Sequence, residues 1–270
     1  MTQISSLKPL SANRHRNTYW QRARGYFHAA EHHLVPVTSR ELPRAVGSFP
    51  LVITHQKSGP ILQALLGVES GRSAFVDSHG CWRGGYVPAY LRAYPFYLVE
   101  TAQDKHVVAV DESSAALQAD AYIGQALFTA DDKPTPQLQK VIDFLGQVAR
   151  NRALTDRACR SLDEAGVLEP WPLELDIGNQ PWRFSGLYRV SEKQLNALEG
   201  AALHALRDTG ALGVAYAQLL STGQKSRLEA FARARENEQR LPESESVFTE
   251  PDLEERIDWD SLDFDEGYEG

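Results

Sequence analysis

Cysteine is nearly absent, with Cys81 and Cys159 far apart in a chain of 270 residues. Two thiols in unrelated contexts exclude a disulfide framework and fit a reducing compartment, so the expected location is the cytoplasm. No window approaches the run of about 18 apolar residues that a membrane span needs, and no span is expected. The N-terminus carries basic residues but no apolar stretch, which excludes a secretory signal there. Lysine and arginine nowhere gather into the footprint that binding a phosphate backbone requires, so nucleic acid is not an expected partner. The familiar catalytic motifs are missing too: there is no G-x-x-x-x-G-K-S/T loop, G-x-G-x-x-G, G-x-S-x-G, C-x-x-C or H-E-x-x-H. Nothing in these patterns calls for a cofactor.

Charge is present but unevenly placed. Residues 241–270 hold 12 Asp plus Glu and one Arg, a net of −11, which leaves 27 basic and 24 acidic residues and a net of +3 in 1–240. The overall −8 therefore belongs to an acidic tail, expected to be disordered because it cannot bury enough apolar surface alone. The tail is not a uniform polar tract, however. Leu253, Ile257 and Trp259 stand among the acids, and Pro251 is suited to the first turn of a helix. The tail reads either as a solubilising appendage or as a recognition segment that orders on a basic, grooved surface through those three anchors.

Ahead of the tail the expected organisation is an irregular arm over 1–19 and a single domain over 20–240. Short apolar runs at Phe49–Ile53, Ile61–Val68, Ser73–Asp77, Phe96–Thr101 and His106–Asp111 have tight connections, which predicts an antiparallel sheet built largely as a meander. Leu138, Val141, Ile142, Leu145 and Val148 follow 3.6-residue spacing and predict a long central helix over 135–165, capped at Gly166. Leu173–Ile177 and Trp182–Val190 read as a second hairpin. Ser191 with Gln194 reads as a capping box opening a helix to Gly210, and further helical segments run to Arg240. The fold class is α+β: an antiparallel meander sheet packed against a long central helix and C-terminal helices.

The densest chemistry lies between Gly71 and Glu100. Tyr86, Tyr90 and Tyr94 recur every four residues, so a helix there would stack the phenols along one face. With Asp77, Trp82 and Arg92 they make either a packed aromatic corner or an aromatic-lined binding cleft. Upstream, His28, Glu31 and His32 match H-x-x-E-H, but no third ligand is identifiable and the pattern reads as a polar turn of helix, with no metal expected. A Cys81–His79 pairing is conceivable for thiolate chemistry, whereas Cys159 reads as a small buried hydrophobe. Asp111-Glu112 and Asp131-Asp132 read as solvated loops, and Arg14-His15-Arg16 as a solvated basic knot.

Together these stretches resemble the SapC family of bacterial proteins. The motifs that carry it are R-H-R at Arg14–Arg16, V-P-V-x-x-x-E-L-P at Val35–Pro43, F-P-L-V-I at Phe49–Ile53, L-L-G-V at Leu65–Val68 and F-V-D-x-x-G-x-W at Phe75–Trp82. The most specific is Y-V-P-A-Y-L-R-A-Y-P-F at Tyr86–Phe96, followed by L-F-T-A-D-D-K-P-T-P at Leu127–Pro136 and F-S-G-L-Y-R-V at Phe184–Val190. This family, distinct from a transporter permease of the same name, is named after a surface-layer export locus. It is associated with genes for flavin-dependent halogenase-like proteins and TonB-dependent receptors. The resemblance implies a non-catalytic accessory or binding protein with a protein partner, and it carries over no catalytic residue. The competing expectation is an enzyme acting on a small or peptidic substrate at Tyr90, Arg92 and Asp77.

Overall fold

The structure is a computed structural model and describes residues 6–21, 23, 25–100, 106–119, 124–177 and 180–240. Leu253, Ile257, Trp259 and the rest of the acidic tail lie outside these residues. The first elements are Leu7–Pro9 (β1), Ala12–His15 (α1), Tyr19–Trp20 (β2), Leu34–Pro36 (β3), Leu42–Ala45 (α2), Leu51–Gln56 (β4) and Gly59–Leu65 (β5). Then come Ala89–Arg92 (α3), Phe96–Glu100 (β6), His106–Asp111 (β7), Leu117–Gln118 (β8), Gln125–Ala126 (β9) and Pro136–Glu164 (α4). Leu168–Pro170 (β10), Glu174–Ile177 (β11), Gln180–Arg183 (β12) and Leu187–Val190 (β13) precede Glu192–Asn196 (α5), Gly200–Asp208 (α6), Ala211–Ser221 (α7) and Lys225–Arg240 (α8). The fold is α+β, with antiparallel sheets, one long helix and a run of C-terminal helices.

The described residues group into two compact units, one within 25–91 and 148–235, the other within 6–23, 92–147 and 236–240. The first unit is built on a five-stranded antiparallel sheet of order β10-β13-β4-β5-β3. β4 and β5 form its central hairpin, with Ile53 opposite Leu62 and Leu51 opposite Ala64. Pro60 to Leu65 is buried at every position, so this strand is covered on both faces, which is why its sequence is a near-continuous apolar run. Its one polar member, Gln63, accepts the Thr54 hydroxyl at 2.6 Å. The last turns of α4 bring Ala158, Cys159 and Leu162 into the same core. Burial pushes the Cys159 thiol up to about 12, so it is a packing group and no nucleophile. Gly166, at φ +67°, takes the left-handed turn that ends the helix.

The sheet has a seam. β13 pairs with β4 at Leu187↔Thr54 and Tyr188↔Ile53, and continuing that register would set Val190 opposite Leu51. There α7 intervenes. The fully buried Gln218 accepts the Val190 amide at 2.9 Å and donates to the Leu51 carbonyl at 3.1 Å. Ser221 Oγ accepts the Leu51 amide at 2.9 Å and donates to the Gln218 carbonyl at 2.6 Å. Two side chains of one helix thus take the place of ladder hydrogen bonds for the Val190 amide and for the Leu51 amide and carbonyl.

The second unit holds two three-stranded antiparallel sheets, β1-β7-β6 and β8-β2-β9. Trp20 meets Phe96 edge-on at 5.2 Å, and Leu138, Val141, Phe144 and Leu145 of α4 are buried. Thr135 caps that end: its Oγ1 accepts the Leu138 amide at 3.4 Å, and Pro136 fills the first helical position.

Several local expectations are revised. The five predicted strands do not form one continuous meander, because 73–77 has a single bridge, Val76 to Trp82, and 96–111 belongs to another sheet. The hairpin at 173–190 pairs β11 with β12, Leu175 opposite Trp182, while β13 joins the five-stranded sheet. The helix expected from Ser191 to Gly210 is two, α5 and α6, and Ser191 makes no side-chain cap. Leu7–Pro9, within the stretch expected as an irregular arm, pairs with β7. The R-H-R knot is engaged as well: Arg14 forks onto Glu112, buried His15 has Nε2 3.2 Å from the same carboxylate, and Arg16 pairs with Asp132. The Arg14 guanidinium holds the Glu112 carboxyl below its ordinary range. Glu112 and Asp132 are therefore ion-pair partners, not merely solvated groups.

Replacing Gln218 by Leu keeps the volume but orphans the Val190 amide and the Leu51 carbonyl, each costing about 1–3 kcal/mol when buried. The expected loss is about 2–5 kcal/mol in urea unfolding, against roughly 1–2 kcal/mol for Ser221→Ala. Equal, near-zero losses in both variants would show that the seam is not closed by α7.

Candidate functional site

The chemistry-bearing stretch is organised from an unexpected residue. Thr38-Ser39-Arg40-Glu41 reads S/T-x-x-E, and the Glu41 side chain turns back so that Oε2 accepts the Thr38 amide at 2.8 Å and the Thr38 hydroxyl at 2.9 Å. Oε1 accepts two further donors, the Tyr86 hydroxyl at 3.0 Å and the Ala89 amide at 2.7 Å. Glu41 is 2% exposed, so a carboxylate that would be costly to bury alone has all its acceptor positions used. Two of the most specific motifs, E-L-P and Y-V-P-A-Y, meet at this one group.

Around it the predicted residues fall into place by different routes. Trp82 donates its indole N–H to the Tyr86 carbonyl at 2.9 Å and packs on Phe75, with ring centres 5.5 Å apart. Phe49 lies against both Phe75 and Tyr86, and the set merges with the core of the first unit. Asp77 Oδ1 accepts the amides of His79 and Cys81 at 2.9 and 2.8 Å, an Asx-turn that shapes the loop before Trp82. The His79 and Cys81 amides are thus both held by the Asp77 carboxylate. Gly67 of L-L-G-V is fixed by space: a Cβ there would sit 1.7 Å from the Arg72 carbonyl oxygen.

The three tyrosines do not share a helical face, because α3 covers only Ala89–Arg92. Tyr86 precedes it in irregular chain and Tyr94 follows it in a turn. Tyr90 is 42% exposed, and its ring stands edge-on to His32 at 6.3 Å. Partial burial pushes its phenol up from the ordinary value. Arg92 and Tyr94 belong to the second unit. There the Arg92 guanidinium lies over the Phe144 ring at 5.1 Å, and Tyr94 meets Tyr97 edge-on at 6.4 Å. Trp82 and Tyr86 are brought together, and Asp77 shapes the loop leading to them.

The histidines occupy a 3-10 turn at Phe27–Ala29 followed by irregular chain, so His28 and His32 are not one α-helical turn apart. His28 faces the Leu91 carbonyl and His33 the Gly71 amide. Among the described residues no group of three or more His, Cys, Asp or Glu is gathered to hold a metal ion.

Fold and site together define an α+β protein whose characteristic motifs bind one another. Among the described residues, none of its helices is long and apolar enough to cross a membrane. The chain belongs to the SapC family, whose model matches residues 10–228. No curated protein and no solved structure matches it.

Glu41→Gln puts an amide donor against at least two of the four donors, with an expected loss of about 3 kcal/mol or more. Tyr86→Phe removes one donor and costs about 1–2 kcal/mol. Chemical denaturation ranks the two, and a Tyr86→Phe protein as unstable as Glu41→Gln would contradict the shared-acceptor geometry.

Proposed function

We propose that the chain is a non-catalytic accessory or binding protein of the bacterial cytoplasm. It serves a protein partner, either a flavin-dependent halogenase-like enzyme or a surface-layer and export system. The observation that carries this reading is the Glu41 junction: the phenol and the amide of Y-V-P-A-Y are turned inward onto a carboxylate, which makes the motif a scaffold. Family membership supports the reading at its coarser level. The outward work of such a scaffold is contact, through the exposed edge at Tyr90 and through the acidic segment of Leu253, Ile257 and Trp259. In that segment the apolar anchors supply affinity while the acids steer approach.

The competing reading is an enzyme in which Tyr90 and Arg92 stabilise a developing negative charge beside Asp77. The use of the Asp77 carboxylate in a turn counts against it.

The test is affinity capture of the full chain from its native host, with proteins and small molecules both identified by mass spectrometry. It is run beside a deletion of 241–270 and the Ile257→Ala/Trp259→Ala double variant. One reproducible protein partner, lost or weakened roughly tenfold in both variants and at high salt, is the expected result. A chain that retains no protein but carries a small molecule, and loses it on Tyr90→Phe, is instead the enzyme.

A further inference from the structure

The helix α7 carries no charge anywhere in its sequence, Ala-Leu-Gly-Val-Ala-Tyr-Ala-Gln-Leu-Leu-Ser. One side of it is used by the fold: Val214, Ala215, Gln218 and Ser221 are buried, the last two on the backbones of β13 and β4. The opposite side of such a helix is ordinarily polar. Here it is Gly213, Tyr216 and Leu220, whose spacings of three and four set them on one face. Tyr216 is 50% exposed and Leu220 71%, the highest value of any large apolar side chain among the described residues. Leu212 and Leu219 beside them are only half-buried. A single exposed leucine is ordinary on a protein surface, but this set makes a continuous apolar stripe.

The chain on from the stripe is positively charged. Residues 209–235 hold Lys225, Arg227, Arg233 and Arg235 against one acid, Glu229, a net of +3. Glu229 is already engaged, by Lys225 at 3.6 Å and by the Asp176 amide at 2.8 Å. Arg227 and Arg233 donate to the carbonyls of Gly47 and Asp176, contacts that leave the positive charge uncancelled. Exposed Arg44 adds a further cation from α2, which packs against α7. An apolar stripe beside cations suits an acidic segment with apolar anchors, and the chain carries one: 241–270 has a net charge of −11, with Leu253, Ile257 and Trp259 among its acids.

That segment can reach the stripe. From Leu220 to Arg240 the chain is helical without a break, so its two ends lie within about 35 Å of each other. The 13 residues of 241–253 span up to about 43 Å when extended.

We propose that the α7 stripe is the seat of the chain's own acidic segment: residues 253–259 fold back onto Tyr216 and Leu220 through their apolar anchors, and their acids meet the cations of α8. Tethering supplies an effective concentration on the order of a millimolar, so an intrinsic affinity of only about 0.1 mM keeps the segment seated roughly nine-tenths of the time. A partner that takes up the same anchors then competes with α7, and capturing the segment uncovers the stripe. The seating itself does not depend on any partner.

Trypsin reads it on the purified full chain, because Arg256, the only basic residue of 241–270, lies between Leu253 and Ile257. Cleavage there is timed at low ionic strength and at about 0.5 M salt, each against a synthetic peptide of 241–270 that gives the unseated rate. The chain is expected to be cut roughly ten times more slowly than the peptide at low salt, with the difference shrinking at high salt. Leu220→Asp sets a like charge in the seat and is expected to restore the peptide's rate, and at 71% exposure it leaves the core intact. The Leu253→Ala/Trp259→Ala variant, timed against its own peptide, is expected to lose the protection without changing any residue of α7 or its sheet. A chain cut as fast as the peptide, or protection that survives both variants, overturns the proposal. Protection that grows with protein concentration also overturns it and assigns the stripe to a second copy of the chain.

Discussion

The burial of Glu41 is the constraint from which the first unit takes its shape. A carboxylate at this depth is tolerated because four donors converge on it, and removing any of them leaves an acceptor where water does not reach. Two of the donors come from Tyr86 and Ala89, the latter 48 residues along the chain. The path between them, from the α2 turn through the central hairpin to the aromatic loop, is thereby closed into a ring. Phe49, Phe75 and Trp82 pack within that ring, so polar closure and aromatic packing reinforce each other.

The same logic runs through the other family motifs. The R-H-R knot is fastened by Glu112 and Asp132, L-L-G-V by a backbone approach that admits no side chain at Gly67, and F-V-D by the Asp77 turn. In each of these motifs a polar or backbone group fastens the fold.

Much of the architecture was legible because burial writes a period into the sequence. The stripe of Leu138, Val141 and Leu145 gave the long helix, and the β4–β5 hairpin was plain from its apolar runs and the Ser58-Gly59-Pro60 turn. Capping and pairing across distance were harder to read. Thr38-x-x-Glu41 carried a visible capping signature, but nothing nearby says that the carboxylate reaches on to Tyr86. The fourfold spacing of Tyr86, Tyr90 and Tyr94 suggested one helical face, yet α3 is too short to express that period. Gln218 gave no signal at all, since its partners are the backbones of two distant strands. Arg14 and Glu112 looked like separate solvated charges for the same reason: sequence shows a charge but not its partner.

The seam closed by Gln218 and Ser221 has a consequence for how the chain comes off the ribosome. Leu51 is made early, and the side chain that satisfies its carbonyl follows 167 residues later. Until then β4 presents a bare, wholly apolar edge of Leu51, Val52 and Ile53, the kind of template that recruits foreign strands. Closing so long a loop is entropically slow, and the hairpin with β5 protects only one side. A chain that stops short of α7 thus leaves that edge of Leu51 uncovered, and complete synthesis through α7 closes it.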